Sequence, residues 1–147
     1  AIKLRSNLNN LTVTDNNLCT KNESVNIPLP PIIVANATVK PVTCFGLGVE
    51  CNMKGLHTLK IKETDRLVAL KNEIEKLGGE VEITDESLHL KRSNIINENV
   101  CIATYDDHRM AMAFAPLATN VAITIKDANV VSKSYPTFWD DFKKATT

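Results

Sequence analysis

The chain has 147 residues, with 17 basic and 17 acidic side chains and a formal net charge of zero. This length fits one domain or a piece of a larger protein, and a hydrophobic fraction of 44% is enough to build a core. A neutral chain has no global attraction for nucleic acid or membranes, and the 5% of aromatic residues gives a nucleic-acid binder little further support.

No apolar run approaches the length of roughly 18 residues that a membrane helix needs, and the first residues lack the pattern of a signal peptide. We therefore expect a cytoplasmic protein. The cysteines form no CxxC pair and the histidines are scattered, so the pattern of a zinc site is missing. Cys44 and Cys101 lie in apolar surroundings and are predicted to be buried thiols.

The first forty residues are rich in Asn and contain few clear signals. Ile2–Leu4 and residues 11–13 are predicted short strands. Three prolines within residues 26–34 favour an extended or looped segment, because proline lacks an amide donor and has a fixed φ.

A helix is predicted over residues 64–77, where four apolar residues form one stripe, Leu67, Leu70, Ile74 and Leu77. Residues 58–61 before it are predicted to be a strand, and Gly78 and Gly79 are expected to end the helix. The alternation at residues 81–83 and the apolar pair at residues 88–90 predict a β-hairpin.

A second cycle of strand, helix and strand follows. The predicted strands cover residues 100–103, 121–125 and 130–131, and a nearly all-apolar, buried helix is predicted over 106–119. Residues 136–144 predict a closing amphipathic helix with a proline in its first turn.

The first candidate site is the charged segment 60–66, at the start of the first predicted helix. Lys62 and Arg66 could share a helical face and hold an anion, and Glu63 lies between them as a candidate acid/base group. A solvated helix start stabilised by salt bridges is the alternative interpretation.

The second candidate is the segment 105–113. Asp106 and Asp107 can be explained as helix caps, whereas His108 and Arg109 at the mouth of a buried helix favour a functional role. Lys133 is a third candidate, although a loop lysine is usually only a surface residue.

Three cations, Arg66, Arg109 and Lys133, are therefore available to one ligand. Because arginine matches carboxylate and phosphate oxygens in pairs, a small substrate with both groups, such as phosphoenolpyruvate, suits them.

Three segments carry a resemblance to a known family: GLHTLKIKETDRLVAL, TYDDHRMAMAFAPLA and VVSKSYPTFWDDF. In order and spacing, residues 42–142 resemble the C-terminal half of 5-enolpyruvylshikimate-3-phosphate (EPSP) synthases. The resemblance implies an inside-out α/β prism (an α+β arrangement) built of βαβαββ units. It also implies transfer of the enolpyruvyl group of phosphoenolpyruvate to the 5-hydroxyl of shikimate 3-phosphate, in aromatic amino-acid biosynthesis, without a metal or organic cofactor.

The resemblance also implies roles for single residues. Arg66, Arg109 and Lys133 match the cations that bind phosphoenolpyruvate in the family. Glu63 matches the carboxylate assigned to proton transfer at the methylene carbon.

Three further residues match supporting positions. Lys62 matches a lysine on the shikimate 3-phosphate side, and His108 matches a histidine beside the second arginine. Thr58 stands where some members carry an asparagine that binds shikimate 3-phosphate. The catalytic aspartate of the family would fall at Ala35, and no aspartate lies between Asp15 and Asp65.

The family has two similar domains with the active site in the cleft between them. We therefore expect residues 42–147 to be part of the C-terminal domain and residues 1–41 to be a divergent N-terminal segment of that domain. The expected partners are the two substrates and the missing N-terminal domain, with no nucleic acid and no membrane. A fragment of this kind is expected to be inactive alone. The alternative is a non-catalytic anion-binding or interaction module on the same scaffold.

Overall fold

The computed structural model describes residues 2–4, 25–28 and 37–146 of the chain. Its strands are β1 (Ile2–Leu4), β2 (Val25–Pro28), β3 (Cys51–Lys54), β4 (Val81–Ile83), β5 (Leu88–Leu90), β6 (Val100–Ile102) and β7 (Ile123–Ile125). Its α-helices are α1 (Val39–Gly46), α2 (Arg66–Lys76), α3 (His108–Phe114) and α4 (Phe138–Thr146). Within the described ranges, three 3-10 helices connect them, at His57–Ile61, Ala115–Thr119 and Ala128–Lys133.

The strands form two sheets. In the larger sheet the order is β2-β3-β5-β4, with β2 parallel to β3 and both other pairs antiparallel. Helix α1 connects the parallel pair and α2 precedes the β4–β5 hairpin, so residues 25–90 form one βαβαββ unit. This unit confirms the predicted fold class.

The smaller sheet has the order β1-β7-β6. Strands β6 and β7 are parallel and are connected through α3, whereas β1 pairs with β7 in the antiparallel sense. The prediction of strands at Ile2–Leu4 and near residues 100–103 and 121–125 is confirmed. The predicted strand at 11–13 lies outside the described residues.

The three helices α1, α2 and α3 contact one another and contribute to one core with the inner residues of both sheets. The predicted stripe of α2 is confirmed, since Leu67, Leu70, Ile74 and Leu77 are all fully buried. Gly78 ends this helix at a φ of +96°, a conformation that costs glycine little.

Helix α3 is buried almost all round, as predicted, but it is shorter than predicted. The α-helical hydrogen bonding stops at Phe114, and a 3-10 helix continues to Thr119. Pro116 lies in the first turn of that 3-10 helix. Because its nitrogen carries no hydrogen, it cannot continue the α-helical ladder.

Two predicted strands are wrong. Residues 58–61 form the 3-10 helix His57–Ile61, and residues 130–131 lie in the 3-10 helix Ala128–Lys133. Apolar runs this short have no periodicity that separates a strand from a helical turn. In the second case the left-handed Asp127, with a φ of +48°, turns the chain before the apolar pair.

Other differences concern helix α1 and Cys101. Helix α1 was not predicted, because Pro41 hides the helical pattern although a proline is tolerated in the first turn. The burial of Cys44 is confirmed, but Cys101 is exposed, since it lies on the edge strand β6 next to the buried Ile102.

Across the described residues, no helix combines the length and apolarity that crossing a bilayer takes.

Candidate active site

Two aspartates cap the helices that carry the predicted arginines. Asp65 precedes α2, and its carboxylate accepts the backbone N–H of Val68 at 3.2 Å. Asp107 precedes α3 and accepts the backbone N–H of Arg109 at 2.9 Å. These caps satisfy amides that a helix start leaves unpaired, and they place Arg66 and Arg109 in the first turns of their helices.

Arg66 lies at the centre of a buried ion-pair cluster. Its side chain and that of Asp107 are both fully buried. The Nε donates to Oδ2 of Asp107 at 2.5 Å, while Nη2 donates to Oδ1 of Asp107 at 3.2 Å and to Oε2 of Glu63 at 2.6 Å. A buried guanidinium needs such carboxylates, because an unpaired buried charge is very costly.

One nitrogen of this guanidinium has no partner in the cluster. The Nη1 of Arg66 is buried and has no hydrogen-bond partner among the residues of the described chain. Buried donors are nearly always paired, so an unpaired one calls for an explanation. Nη1 is thus the one guanidinium nitrogen of Arg66 that the described segments leave without a partner.

Glu63 is the accessible member of the cluster, with 49% of its side chain exposed. Its Oε2 is held by Arg66, and its Oε1 makes no hydrogen bond to the described part of the chain. A carboxylate that is held at one oxygen and open at the other can exchange a proton with a ligand.

A pocket of about 330 Å³ opens beside the start of α3. It is lined by Thr38, Val39, His108, Arg109, Met112, Ser134 and Tyr135. Within residues 37–146, the side chains of His108 and Arg109 have no hydrogen-bond or salt-bridge partner. The pocket therefore has a guanidinium and an imidazole that a ligand can engage.

Lys133 ends the 3-10 helix next to this pocket, directly before Ser134. Its side chain is 73% exposed, and its Nζ lies 3.7 Å from Oδ1 of Asp106. A contact of that length between exposed groups is weak, so the ammonium group can turn towards a ligand.

Lys62 and Thr58 lie apart from the pocket. Lys62 is exposed at the end of the 3-10 helix His57–Ile61, and its ammonium group has no partner in the described segments. Thr58 lies within that 3-10 helix, and its buried Oγ1 also lacks a partner there. The structure thus joins Glu63 and Arg66 directly, and places His108 and Arg109 in one pocket whose lining includes Ser134, the residue after Lys133.

Sequence reasoning missed two acidic residues of this region. Asp107 was interpreted only as a cap, yet it is also the buried partner of Arg66. Glu73 was not singled out, yet its side chain is fully buried. A signal existed for Glu73, because it lies three residues after Leu70 and four before Leu77, on the buried face of α2.

Glu73 is held by three residues from two segments, helix α2 itself and the turn before α3. Its carboxylate accepts hydrogen bonds from Lys76 Nζ, the Ala103 backbone N–H and the Tyr105 hydroxyl. Burial and the hydrogen bond to Glu73 raise the pKa of the Tyr105 hydroxyl above its ordinary value, because both disfavour the tyrosinate. Across the described ranges, no three His, Cys, Asp or Glu side chains are grouped to hold a metal ion.

The fold and this cluster define a class of protein: an α/β prism with arginines in the first turns of two central helices. A family model described as EPSP synthase (3-phosphoshikimate 1-carboxyvinyltransferase) matches residues 6–142. The chain therefore belongs to the EPSP synthase family.

Individual relatives agree with this assignment. The chain is 49% identical over 107 residues to a 3-phosphoshikimate 1-carboxyvinyltransferase of Bacteroides fragilis, a match covering 71% of this chain and 26% of the relative. It is 34% identical over 106 residues to the one of Neisseria meningitidis, covering 71% and 24%. The chain thus spans about a quarter of the length of these relatives.

A solved structure supports the fold. The EPSP synthase from Acinetobacter baumannii superimposes with a TM-score of 0.72 at 22% sequence identity, covering 82% of this chain and 30% of that one. At this identity the likeness concerns the fold alone, and the fold is the one that the sequence predicted.

Proposed function

We propose that this chain supplies the C-terminal part of the active site of a 3-phosphoshikimate 1-carboxyvinyltransferase. The reaction moves the enolpyruvyl group of phosphoenolpyruvate to the 5-hydroxyl of shikimate 3-phosphate and releases phosphate. The observation that carries the proposal is the ion-pair cluster of buried Arg66 and Asp107 with half-exposed Glu63, next to a pocket that contains Arg109.

Phosphoenolpyruvate binding is assigned to three cations. Arg109 has an unengaged guanidinium in the pocket, and Nη1 of Arg66 has no partner in the described segments. Lys133 directly precedes Ser134 of the pocket lining and contacts only the exposed Asp106, at 3.7 Å, within the described ranges. The arginine fork of Arg109, with the charges of Arg66 and Lys133, suits a ligand with a carboxylate and a phosphate. Their fixed geometry orients the ligand and stabilises charge in the transition state.

Glu63 is the proposed acid/base group. Addition of the 5-hydroxyl to the double bond requires a proton on the methylene carbon and the loss of one from oxygen. Protonated Glu63 can deliver the first proton from its open Oε1 while Arg66 holds Oε2, and the resulting carboxylate can take a proton back from the methyl group as phosphate leaves. This arrangement fixes the carboxylate without closing it to the ligand.

Supporting roles are proposed for the remaining predicted residues. Lys62 and Thr58 are assigned to the shikimate 3-phosphate side, which agrees with their location outside the pocket that contains Arg109. His108 is assigned a supporting role, because its ring lines that pocket and has no partner in the described part of the chain.

The site is proposed to be half of a complete one. The chain spans about a quarter of its relatives, so an N-terminal domain would supply the other half, and the chain would be inactive alone. Residues 42–147 would belong to the C-terminal domain, and residues 1–41 would be a divergent segment of it. We place the protein in the cytoplasm, where the exposed free thiol of Cys101 would remain reduced.

The test is a hybrid in which this chain replaces the matching segment of the Bacteroides fragilis relative. We expect phosphate release that depends on both substrates, and loss of turnover by about a hundredfold or more in Glu63→Gln, the scale of general acid catalysis. Glu98→Gln, which removes an exposed carboxylate elsewhere, is the matched control. Equal rates in the two variants would contradict the role of Glu63.

A specific observation favours a second candidate, a non-catalytic anion-binding or interaction module. No aspartate lies between Asp15 and Asp65, and the position matching the catalytic aspartate of the family is Ala35. A folded hybrid that binds phosphoenolpyruvate without turnover, and that regains turnover in Ala35→Asp, would support this candidate.

A further inference from the structure

The carboxylate of Glu73 connects helix α2 to a distant turn. Its Oε1 accepts the Tyr105 hydroxyl at 2.7 Å, and its Oε2 accepts the backbone N–H of Ala103 at 3.1 Å. Lys76 donates to both oxygens, at 2.8 and 2.7 Å. The buried charge of Glu73 is thus balanced by Lys76, and its other contacts all go to the segment just before α3.

That segment has an unusual backbone. Tyr105 and Asp106 have φ angles of +53° and +54°, and the N–H of Asp107 donates to the Thr104 carbonyl at 2.8 Å. Two positive φ angles at the centre of such a turn are typical of the type I′ class, which favours glycine and asparagine. Side chains in this conformation persist only when the surrounding structure holds them there.

The turn fixes the position of Asp107 at the start of α3. Asp107 is the next residue after the two strained ones, and its carboxylate holds both the Arg66 guanidinium and the backbone N–H of Arg109. A relaxed turn would move this carboxylate, and both arginines would lose a fixed partner.

We propose that Glu73 is a positioning residue for the anion site. It holds the turn at 103–107 in its strained conformation, and through Asp107 it sets the positions of Arg66 and Arg109. The role of Glu73 in anion binding rests on the proposed function, whereas its structural coupling to Arg66 does not.

The test compares Glu73→Gln with Glu75→Gln in this chain. Glutamine is uncharged and has one acceptor oxygen, so it loses the ion pair with Lys76 and can keep the Ala103 hydrogen bond only by turning its NH₂ group to the Tyr105 hydroxyl, which reverses that bond. Glu75 is on the same helix, is 40% exposed and bonds to Lys71, so its variant removes the same charge without touching the turn. Tyr105→Phe, which deletes one hydrogen bond and no charge, is the milder second variant.

The primary measurement is the NMR resonance of the Arg66 Nε–H group, which reports its bond to Asp107. We expect it to shift in Glu73→Gln, to shift less in Tyr105→Phe, and to stay in place in Glu75→Gln. A purely structural role would lower the melting temperature and leave this resonance unchanged in the folded variant. An unchanged resonance in Glu73→Gln and Tyr105→Phe would overturn the proposal, and Tyr105→Phe decides it if Glu73→Gln does not fold.

The second measurement is binding of phosphoenolpyruvate. Glu73→Gln should bind about tenfold more weakly, the scale at which outer hydrogen bonds tune a charged site. Loss of a negative charge alone would strengthen anion binding in both glutamine variants, so weaker binding in Glu73→Gln opposes that trend. If the unmodified chain does not bind phosphoenolpyruvate, it carries no preformed half-site, while the Arg66 resonance still tests the coupling.

Discussion

Replacing Asp107 by asparagine removes the buried partner of Arg66 and little else. The asparagine oxygen can keep the cap on the Arg109 amide, since Asn and Asp are equivalent caps. Its NH₂ group would then face the Arg66 Nε–H, where Oδ2 now accepts at 2.5 Å. The substitution therefore separates the ion pair from the cap.

The expected loss follows from the burial of the pair. Breaking a buried ion pair by removing one partner costs about 3–5 kcal/mol. Glu63 stays as a second partner of Arg66, so we expect the lower end, about 3 kcal/mol. For a chain of this size, that loss lowers the melting temperature by about 10 °C.

The matched control is Asp65→Asn. Asp65 caps α2 in the same way and accepts the backbone N–H of Val68, but it pairs with no buried arginine in the described part of the chain. We expect it to cost less than about 0.5 kcal/mol. Urea unfolding followed by circular dichroism measures both variants, and equal losses for the two would refute the assigned contribution of the buried pair.

Three further predictions follow from single residues. Arg109→Ala should change the free energy of unfolding by less than about 0.5 kcal/mol, because its guanidinium has no partner within residues 37–146, yet it should abolish the binding of phosphoenolpyruvate measured by calorimetry; a large loss of stability would contradict this. The pKa of Tyr105 is raised by burial and by the hydrogen bond to Glu73, so the contribution of Tyr105 to stability is present below pH 10 and is lost as the pH rises through the folded pKa. Tyr135→Phe removes the second tyrosine of the chain. In that variant, the absorbance of the Tyr105 tyrosinate should appear at higher pH in the folded chain than in urea. Gly79→Ala should cost about 1–3 kcal/mol, because the added Cβ would lie 2.4 Å from Cγ2 of Ile74; an unchanged denaturation midpoint would contradict this packing.

The sequence predicted those helices and strands that have a clear apolar periodicity and a stop signal. Helix α2 has a four-residue apolar stripe and a glycine stop, and the structure confirms both. The 3-10 helices at His57–Ile61 and Ala128–Lys133 were predicted as strands, since segments of a few residues take their conformation from the surrounding fold.

The site was only partly predictable for the same reason. Charge and resemblance pointed to Arg66, Glu63 and Arg109 separately, but the Arg66–Asp107 pair joins residues 41 positions apart. No local pattern encodes that contact, because it depends on how α2 and α3 pack. A carboxylate on the buried face of a helix, as at Glu73, is a usable sequence signal for such a partner.

We propose that this chain carries a preformed half-site for phosphoenolpyruvate. An amide NMR titration of the chain with phosphoenolpyruvate tests it most directly, with Arg109→Ala as the control. We expect dispersed peaks with shifts confined to Arg66, Arg109, Lys133 and their neighbours, and no such shifts in the variant. Dispersed peaks that do not move in the unmodified chain would contradict it.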